Sequence, residues 1–297
     1  MIKGIGASSG IAIAKAYKLV MPDLTVTKVT VENVEAEIKK YDDAMTQTAK
    51  ELESIKEAAA KNLSAEEAAK IFINQVKEKP NSILGLATGS TPVRMYELLR
   101  EDHEKNHTSY KDVKSYNLDE YFGLDASHPQ SYHYFMYKNL FNGIDIKDEN
   151  VHVPCGQGNI QENCDKYNKM LAENPIDIQL LGIGSNGHIG FNEPGTDFNS
   201  KTHYVDLKES TIKDNARLFF NGDEDAVPKQ AISMGIQNIM DAKSVVLIAC
   251  GKNKEDAVKG MIEGPVTPEL PASVLQNHKD VTVIIDKAAA ALLEKEY

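Results

Sequence analysis

An imidazole and a carboxylate follow an apolar segment near the middle of the chain, in the run LLGIGSNGHIGFNEPG at residues 180–195. His188 and Glu193 are five positions apart, and both residue types exchange protons in general acid–base catalysis. The apolar residues 178–183 predict a short buried strand, and the Ser-Asn-Gly sequence after it is typical of a turn. Open α/β sheets bind ligands beyond the carboxyl ends of their strands, so His188 and Glu193 are candidate proton-transfer groups. The alternative is an ordinary loop histidine beside closely packed glycines.

A second candidate acid–base group follows the strand that is predicted over residues 113–118. Asp119 and Glu120 come at its carboxyl end, where a carboxylate can serve as a general base. Neighbouring strand residues point to opposite faces, so only one of the two can face a pocket. We expect the other to be a surface or capping group.

The sequence TGSTP at residues 88–92 offers an anion site between a predicted strand, 82–87, and the start of a helix. Backbone N–H groups at such a helix N terminus attract phosphate, and hydroxyl groups add donors. The loop lacks the lysine of a nucleotide-binding P-loop, which favours a monophosphate over a triphosphate. A capped turn without a ligand is the alternative. A similar turn, GKNK at residues 251–254, brings lysines to the end of another predicted strand.

Composition excludes several kinds of partner and cofactor. The 297 residues carry 33 Lys and Arg against 44 Asp and Glu, a formal net charge of −11, so we predict neither a nucleic-acid nor a membrane partner. The three cysteines form no C-x-x-C pair, which is typical of a reduced, cytoplasmic protein without a zinc site. The chain offers no metal-ligand cluster and no complete dinucleotide fingerprint, so we predict no metal and no cofactor. We expect no signal peptide and no membrane span.

From residue 64 onward, strands, turns and helices alternate. This order predicts one Rossmann-like, doubly wound and mainly parallel sheet in a three-layer α/β/α fold. Its first helix is predicted to open at Ser64, which forms a capping box with Glu67. The aromatic-rich residues 128–141 predict a helix that covers the site, with its Tyr and Phe side chains mostly in the core.

The first 61 residues differ in residue pattern from the rest of the chain and are predicted to form an N-terminal helical extension. Residues 32–60 contain neither Gly nor Pro and predict one long helix. Its apolar residues recur at a spacing of three and four, which is typical of a packed stripe: Val31, Val34, Ile38, Tyr41, Met45, Leu52, Ile55 and Ala59. A stripe of this length must be covered, so we expect the helix to pack on its own chain. Docking to a partner, including a second copy in a homo-oligomer, is the alternative.

This N-terminal segment resembles the extreme N terminus of enzyme I of the bacterial sugar phosphotransferase system. The likeness rests on KGIGASSGIAIAKAYKL and VEAEIKKYDDAM. That family's phosphorylatable histidine lies further along in a Ser-His context that does not follow here. The resemblance therefore implies shared ancestry or a fusion, and not phosphoryl transfer. We divide the chain into an enzyme I-like segment, 1–61, and a second domain, 62–297.

The second domain resembles glucosamine-6-phosphate deaminase over residues 63–293. The motifs that carry the likeness occur in the family's order: LGLATGSTP, SYNLDEYFGL, HPQSYHYFM, GIGSNGHIGFNEPG, ARLFF, CGKNK and SVLQNHKDVTVIID. The resemblance implies a hydrolase of carbon–nitrogen bonds that converts glucosamine 6-phosphate into fructose 6-phosphate and ammonia without a cofactor. Members of the family begin with a strand, for which residues 2–5 and 24–31 are both candidates here.

The resemblance also implies roles for single residues. Asp119 would move the proton between C2 and C1, and His188 with Glu193 would assist opening of the sugar ring. Asn186 holds a position where some members have Asp, and its amide can orient a group but cannot act as a base. The implied ligands of the 6-phosphate are Thr88, Gly89, Ser90, Thr91, Arg217 and Lys254. Regulated members bind N-acetylglucosamine 6-phosphate through cations that are absent here from Thr196, Asp197, His203 and Val205, so we expect no such activation.

Two other functions fit a fold of this kind. A 6-phosphogluconolactonase would need the phosphate site and a histidine, but not the carboxylate of NLDEY. A sugar-phosphate sensor would carry a DNA-binding segment at its N terminus and could lose the acid and the base. Asp119, His188 and Glu193 are all present, which favours the deaminase.

Overall fold

The computed structural model describes residues 2–4, 34–207, 209, 212–213, 216 and 222–295 of the chain. The strands are β1 (Ile2–Gly4), β2 (Ile83–Leu86), β3 (Lys114–Asn117), β4 (Asp119–Phe122), β5 (Val151–His152), β6 (Ile178–Leu181), β7 (His203–Asp206), β8 (Gln230–Ser233), β9 (Ser244–Ala249) and β10 (Val281–Ile285). The helices are α1 (Val34–Glu78), α2 (Val93–Asn106), α3 (Tyr132–Asn139), α4 (Ile160–Glu173), α5 (Ile236–Met240) and α6 (Glu255–Glu263).

Seven of the described strands form the main sheet, in the order β1-β10-β9-β6-β2-β3-β5. Every pairing in this sheet is parallel. The central strands β6 and β9 are almost entirely buried, as expected for apolar runs covered on both faces. The predicted α/β class, a mainly parallel sheet flanked by helices, is confirmed.

A second, smaller sheet was not predicted. Within the described residues, β4, β8 and β7 form three antiparallel strands in the order β4-β8-β7. Leu118 joins the two sheets, because its N–H donates to Leu86 O (2.9 Å) and its carbonyl accepts from Met234 N (2.7 Å). The chain therefore leaves the main sheet after β3 and turns at once into β4, whose first residue is Asp119.

The N terminus supplies the edge strand that the sequence left open. Ile2 lies opposite Val283 and Gly4 opposite Ile285, so β1 extends the parallel sheet beyond β10. Residues 2–4, from one of the two predicted candidate segments, thus form this edge strand. The other candidate, residues 24–31, lies outside the described residues.

One uninterrupted helix, α1, runs through the position where two helices were predicted. The predicted helix start at Ser64 is wrong, because nothing between residues 34 and 78 breaks a helix: this stretch has neither Gly nor Pro. Ser64 is instead a buried interior residue, and its Oγ accepts a hydrogen bond from Cys250 Sγ at 3.3 Å. The proposed boundary between 61 and 62 therefore falls inside α1.

Among the described side chains of α1, only those of its second half pack on the sheet. Phe72 and Val76 are fully buried there, with several alanines beside them. In the first half, Met45 is 72% exposed and Leu52 is 43% exposed, so the part of the chain that the structure describes does not cover this stretch of the stripe. Val31 and the side chains of Val34, Ile38 and Tyr41 lie outside the described structure, and pairing with a second copy stays a prediction. None of the described helices is long and apolar enough to cross a membrane.

Candidate active site

A cavity of about 320 Å³ lies at the carboxyl ends of β2, β3 and β6. It brings together the two predicted acid–base segments and the predicted anion loop, because the carboxyl ends of parallel strands meet at one edge of a sheet. Its polar and aromatic lining includes Thr88, Gly89, Thr91, Asp119, Tyr121, Tyr132, His188, Gly190, Phe191 and Glu193.

Of the neighbouring carboxylates Asp119 and Glu120, Asp119 is the one that faces this cavity. Its side chain is 7% exposed, and no group within the described residues hydrogen-bonds Oδ1. Burial raises the pKa of Asp119 to about 8, and the nearby charge of Glu120 adds to the rise. A buried carboxyl group without a partner is costly to a fold, and such groups are concentrated at functional sites. An arriving cation would lower this pKa and convert Asp119 into a base.

Glu120 points away from the cavity and caps a helix. Its carboxylate accepts the backbone N–H group of Tyr121 in β4 (2.8 Å) and those of Tyr132 (2.8 Å) and His133 (2.9 Å) at the start of α3. Burial raises the pKa of Glu120 to about 7, although these three hydrogen bonds favour its charged form. Glu120 is thus the capping group that strand alternation predicted, but it is buried and not on the surface.

The helix predicted over residues 128–141 is shorter in the structure. It begins at Tyr132, because Ser131 is its N-cap and accepts from Tyr134 N at 3.0 Å. Tyr132 lines the cavity and stacks on Phe191 with their planes 9° apart, and Tyr121 lies 4.8 Å from Tyr132 between ring centroids.

These three aromatic side chains form a wall of the cavity that the sequence reasoning missed. The alternation of strand residues could have found one of them, since Tyr121 stands two positions after Asp119 and so points to the same face. The other two come from separate segments, and only the fold brings them to this wall.

Asn186 connects the imidazole to the second carboxylate. Its Nδ2 donates to Glu193 Oε2 at 2.9 Å, and its Oδ1 lies 2.7 Å from His188 Nδ1. The same oxygen accepts the backbone N–H of His188 at 3.2 Å, which fixes the orientation of the amide. His188 Nδ1 must therefore carry a proton, and Nε2 is the basic nitrogen of the neutral ring. Glu193 Oε1 lies 3.4 Å from Nδ1, so a positive charge on the ring is stabilised.

Two glycines make room for this arrangement. A Cβ atom on Gly184 would lie 2.3 Å from the His188 ring, so the imidazole packs directly over the backbone at this position. Gly187 has a φ of +82°, in the left-handed region that favours glycine, and turns the chain back toward His188.

Ser233 links the histidine loop to the strand that carries Asp119. It lies opposite Asp119 in the β4–β8 ladder, and its Oγ accepts from Phe191 N at 3.0 Å. A Cβ atom on Gly190 would be 3.0 Å from Ser233 Oγ and 3.9 Å from Asp119 Oδ2. Glycine at this position therefore lets the backbone of the histidine loop lie close to both side chains. No motif in the sequence pointed to Ser233.

The anion loop also lines the cavity. Gly89 has a φ of +98°, and no side chain caps the N terminus of α2 in the described structure, which leaves its N–H groups for a ligand. Thr88, Gly89 and Thr91 line the cavity, whereas Ser90 and Lys254 line a neighbouring one.

Of the two predicted cations of the anion site, the structure describes Lys254 but not Arg217. Lys254 is half-buried, and burial lowers the pKa of its ammonium group. Arg217 lies outside the residues that the structure describes. Among the described residues, no group of three or more His, Cys, Asp or Glu could hold a metal ion.

The fold and the site define an α/β protein with an acid–base cavity at its strand ends and an anion loop in the lining of that cavity. Residues 54–284 match the family described as glucosamine-6-phosphate isomerases/6-phosphogluconolactonase. The chain belongs to this family. Residues 3–77 also match the family described as PEP-utilising enzyme, N-terminal, and the two matches overlap at 54–77, within α1.

Curated relatives and solved structures give the same assignment. The chain is 52% identical to the glucosamine-6-phosphate deaminase of Thermoanaerobacter sp. (strain X514) over 234 residues, 78% of this chain and 92% of the relative. It is 53% identical to that of Lactobacillus johnsonii (strain CNCM I-12250 / La1 / NCC 533) over 227 residues, 76% of this chain and 92% of the relative. A solved monomeric glucosamine-6-phosphate deaminase matches with a TM-score of 0.75 and 44% identity, covering 78% of this chain and 97% of its own. The 6-phosphogluconolactonase from Trypanosoma brucei, 18% identical with a TM-score of 0.63 over 78% of this chain and 95% of its own, shares the fold.

Proposed function

We propose that this chain converts glucosamine 6-phosphate and water into fructose 6-phosphate and ammonia. The observation that carries the proposal is the buried Asp119 carboxyl, without a hydrogen bond at Oδ1, in one cavity with His188, Glu193 and the anion loop. The relatives at 52–53% identity support the same activity.

Ring opening is the first step, and it needs a proton to leave the C1 hydroxyl and another to reach the ring oxygen. His188 Nε2 can accept the first proton and deliver it to the ring oxygen, since Nδ1 is held in its protonated form by Asn186 Oδ1. The resulting imidazolium is stabilised by Glu193 Oε1 at 3.4 Å. Asn186 acts as a positioning residue, because an amide cannot take up the proton.

Proton transfer from C2 follows, because the open chain has an aldehyde at C1 that acidifies the neighbouring C–H. The ammonium group of the substrate brings a positive charge next to Asp119, lowers its pKa and so generates the base. Asp119 takes the C2 proton while the C1 carbonyl oxygen takes up a proton from solvent and the ammonium group loses one to solvent, which gives an enolamine. Asp119 then returns its proton to C1. The resulting C2 iminium takes up water and releases ammonia. General acid–base steps of this kind contribute roughly 10²–10⁴-fold each.

The phosphate group would be held at the anion loop. The N–H and hydroxyl groups of residues 88–91, the Lys254 ammonium and the Arg217 guanidinium are its proposed ligands. Charge-assisted contacts of this type also fix the sugar so that C2 lies at Asp119.

Assigning this reaction to the hydrolases describes only part of its chemistry. One water is consumed and a carbon–nitrogen bond is broken, but an aldose is also isomerised to a ketose, so deaminase with isomerase chemistry describes the net change better. The site supports a small-molecule sugar phosphate, the substrate, as the binding partner of this chain. A cytoplasmic location and a homo-oligomer through the N-terminal helix stay predictions.

Lactone hydrolysis and sensing are the competing functions. A lactonase needs no carboxylate that abstracts a C–H proton, and the lactonase structures that match at 18–21% identity show the fold alone. A sensor needs no proton-transfer groups, whereas this cavity has Asp119, His188 and Glu193 together.

Ammonia release from glucosamine 6-phosphate tests the proposal, with fructose 6-phosphate plus ammonium as the reverse reaction. The same preparation should be offered 6-phosphogluconolactone. We expect turnover in both directions of the first reaction and no acceleration of lactone hydrolysis. A chain that binds glucosamine 6-phosphate without releasing ammonia would be a sensor, and lactone hydrolysis alone would identify a lactonase.

A further inference from the structure

A second cavity, of about 550 Å³, lies next to the anion loop. Thr91 and Ile248 line both this cavity and the one that holds Asp119, so the two meet at the loop. Its polar lining includes Lys61, Asn62, Ser90, Thr91, Asn253 and Lys254. A ligand that extends from Asp119 past Thr91 would approach this second cavity.

The second cavity is positively charged. Arg94 and Glu97 also line it, but Arg94 Nη1 contacts Glu97 and Glu101 at 3.0 Å each, so the charge of Arg94 is balanced and Lys61 and Lys254 remain. Within the described part of the chain, no carboxylate lies within ion-pair distance of Lys61 or Lys254. A protein with a net charge of −11 must bind an anion through such local cations, because its overall field repels anions.

Lys61 is held at this cavity by the unbroken helix α1. One turn later, Ser64 is buried and accepts a hydrogen bond from Cys250 Sγ, which fixes this part of α1 against the end of β9. Cys250 also lines the cavity. Burial raises the pKa of the Cys250 thiol, and the charge of Lys61 opposes that rise, in agreement with an ammonium group on the cavity side.

We propose that Lys61 is a further ligand of the substrate's phosphate monoester, contributed by the helix that joins the two matched segments. This inference rests on the proposed function, since it needs a sugar phosphate whose C2 lies at Asp119. The phosphate then lies beside Thr91, between the half-buried Lys254 and the exposed Lys61. Lys61 falls in the stretch where the two family matches overlap, residues 54–77. In this proposal, the segment that joins the two matched regions therefore contributes a ligand to the phosphate site.

The test compares Lys61→Ala with Lys56→Ala, a matched control that removes the same charge from α1. Lys56 is exposed, paired with Glu53 and absent from the cavity lining. For Lys61→Ala we expect KM for glucosamine 6-phosphate to rise roughly threefold to tenfold at low salt, with kcat unchanged. Lys61→Arg should restore KM. The difference in KM between Lys61→Ala and the unaltered protein should shrink near 1 M salt, where an exposed charge is screened over about 3 Å.

Calorimetric binding of inorganic phosphate provides a readout that does not depend on turnover. We expect its Kd to rise for Lys61→Ala in parallel with KM, and to stay unchanged for Lys56→Ala. An unchanged phosphate Kd, or a lower kcat with unchanged KM, would overturn the assignment of Lys61. Absence of ammonia release by the unaltered protein would overturn the proposed function instead, and the phosphate titration would still decide on Lys61.

Discussion

Replacing Asp119 by Asn separates the catalytic contribution of this carboxyl from its cost to the fold. The substitution keeps the shape of the side chain and removes its ability to accept a proton. We expect kcat for ammonia release to fall by roughly 10²–10⁴-fold, the contribution of a general base. KM should change little, because the phosphate ligands that dominate binding are untouched.

The same substitution should stabilise the protein, in a manner that depends on pH. The pKa of Asp119 is raised from 3.8 to about 8, so the fold holds this proton more tightly than the unfolded chain does. The stability contributed by Asp119 is therefore fully present below pH 3.8 and is lost as the pH rises to about 8. The loss amounts to at most about 4 kcal/mol at pH 7. Asn leaves a buried amide of its own, so we expect a net gain of about 1–3 kcal/mol at pH 7.

Three measurements check this reasoning. Ammonia release gives kcat and KM, exchange of the C2 proton in deuterated water reports the base directly, and thermal unfolding at pH 5, 7 and 9 reports stability. The matched control is Glu120→Gln, which removes the neighbouring charge but also disturbs the cap of α3 and should lower stability. C2 exchange by Asp119→Asn at the rate of the unaltered protein would show that another group is the base. An equal Tm difference at every pH would refute the raised pKa.

Further substitutions and one ligand test the rest of the site. Lys254→Ala should raise KM for glucosamine 6-phosphate roughly tenfold to a hundredfold with much less effect on kcat, and unchanged steady-state kinetics would remove Lys254 from the phosphate site. Gly184→Ala should lower kcat by at least about tenfold, because the new Cβ would displace the His188 ring that now lies in its place, and full ammonia release would show that the ring is not positioned there. N-acetylglucosamine 6-phosphate should not activate the enzyme, and a sigmoidal saturation curve that it makes hyperbolic would contradict this expectation.

Local pattern was sufficient to predict the class of fold and the segments that meet at the site. Short apolar runs followed by Gly, Ser or Asn identify strand ends, and the parallel order of such strands places Asp119, His188 and Thr88 at one edge. The alternation of strand residues also predicted that only one of Asp119 and Glu120 faces the cavity, and the structure places Asp119 there. These inferences need only the periodicity of the backbone, which neighbouring residues determine.

The same local signals were ambiguous where packing chooses between two structures. Ser64 and Glu67 form a capping pattern, but the residues before them also favour a helix. The local sequence therefore allows either a helix that starts at Ser64 or an unbroken α1. In the unbroken helix, Ser64 is buried against Cys250. Residues 2–4 are too few to predict a strand by periodicity. They become one because the edge of β10 offers unpaired backbone groups, almost the whole chain length away.

The sequence by itself determined which residues can transfer protons or bind phosphate, since residue type fixes that chemistry. Only the tertiary structure decided how they act together. It buried Asp119 and raised its pKa, set Asn186 between His188 and Glu193, and divided the anion loop between two cavities. Desolvation and hydrogen-bond distances arise from groups far apart in the chain, so these properties are set by the packing of the fold and not by the order of residues along it.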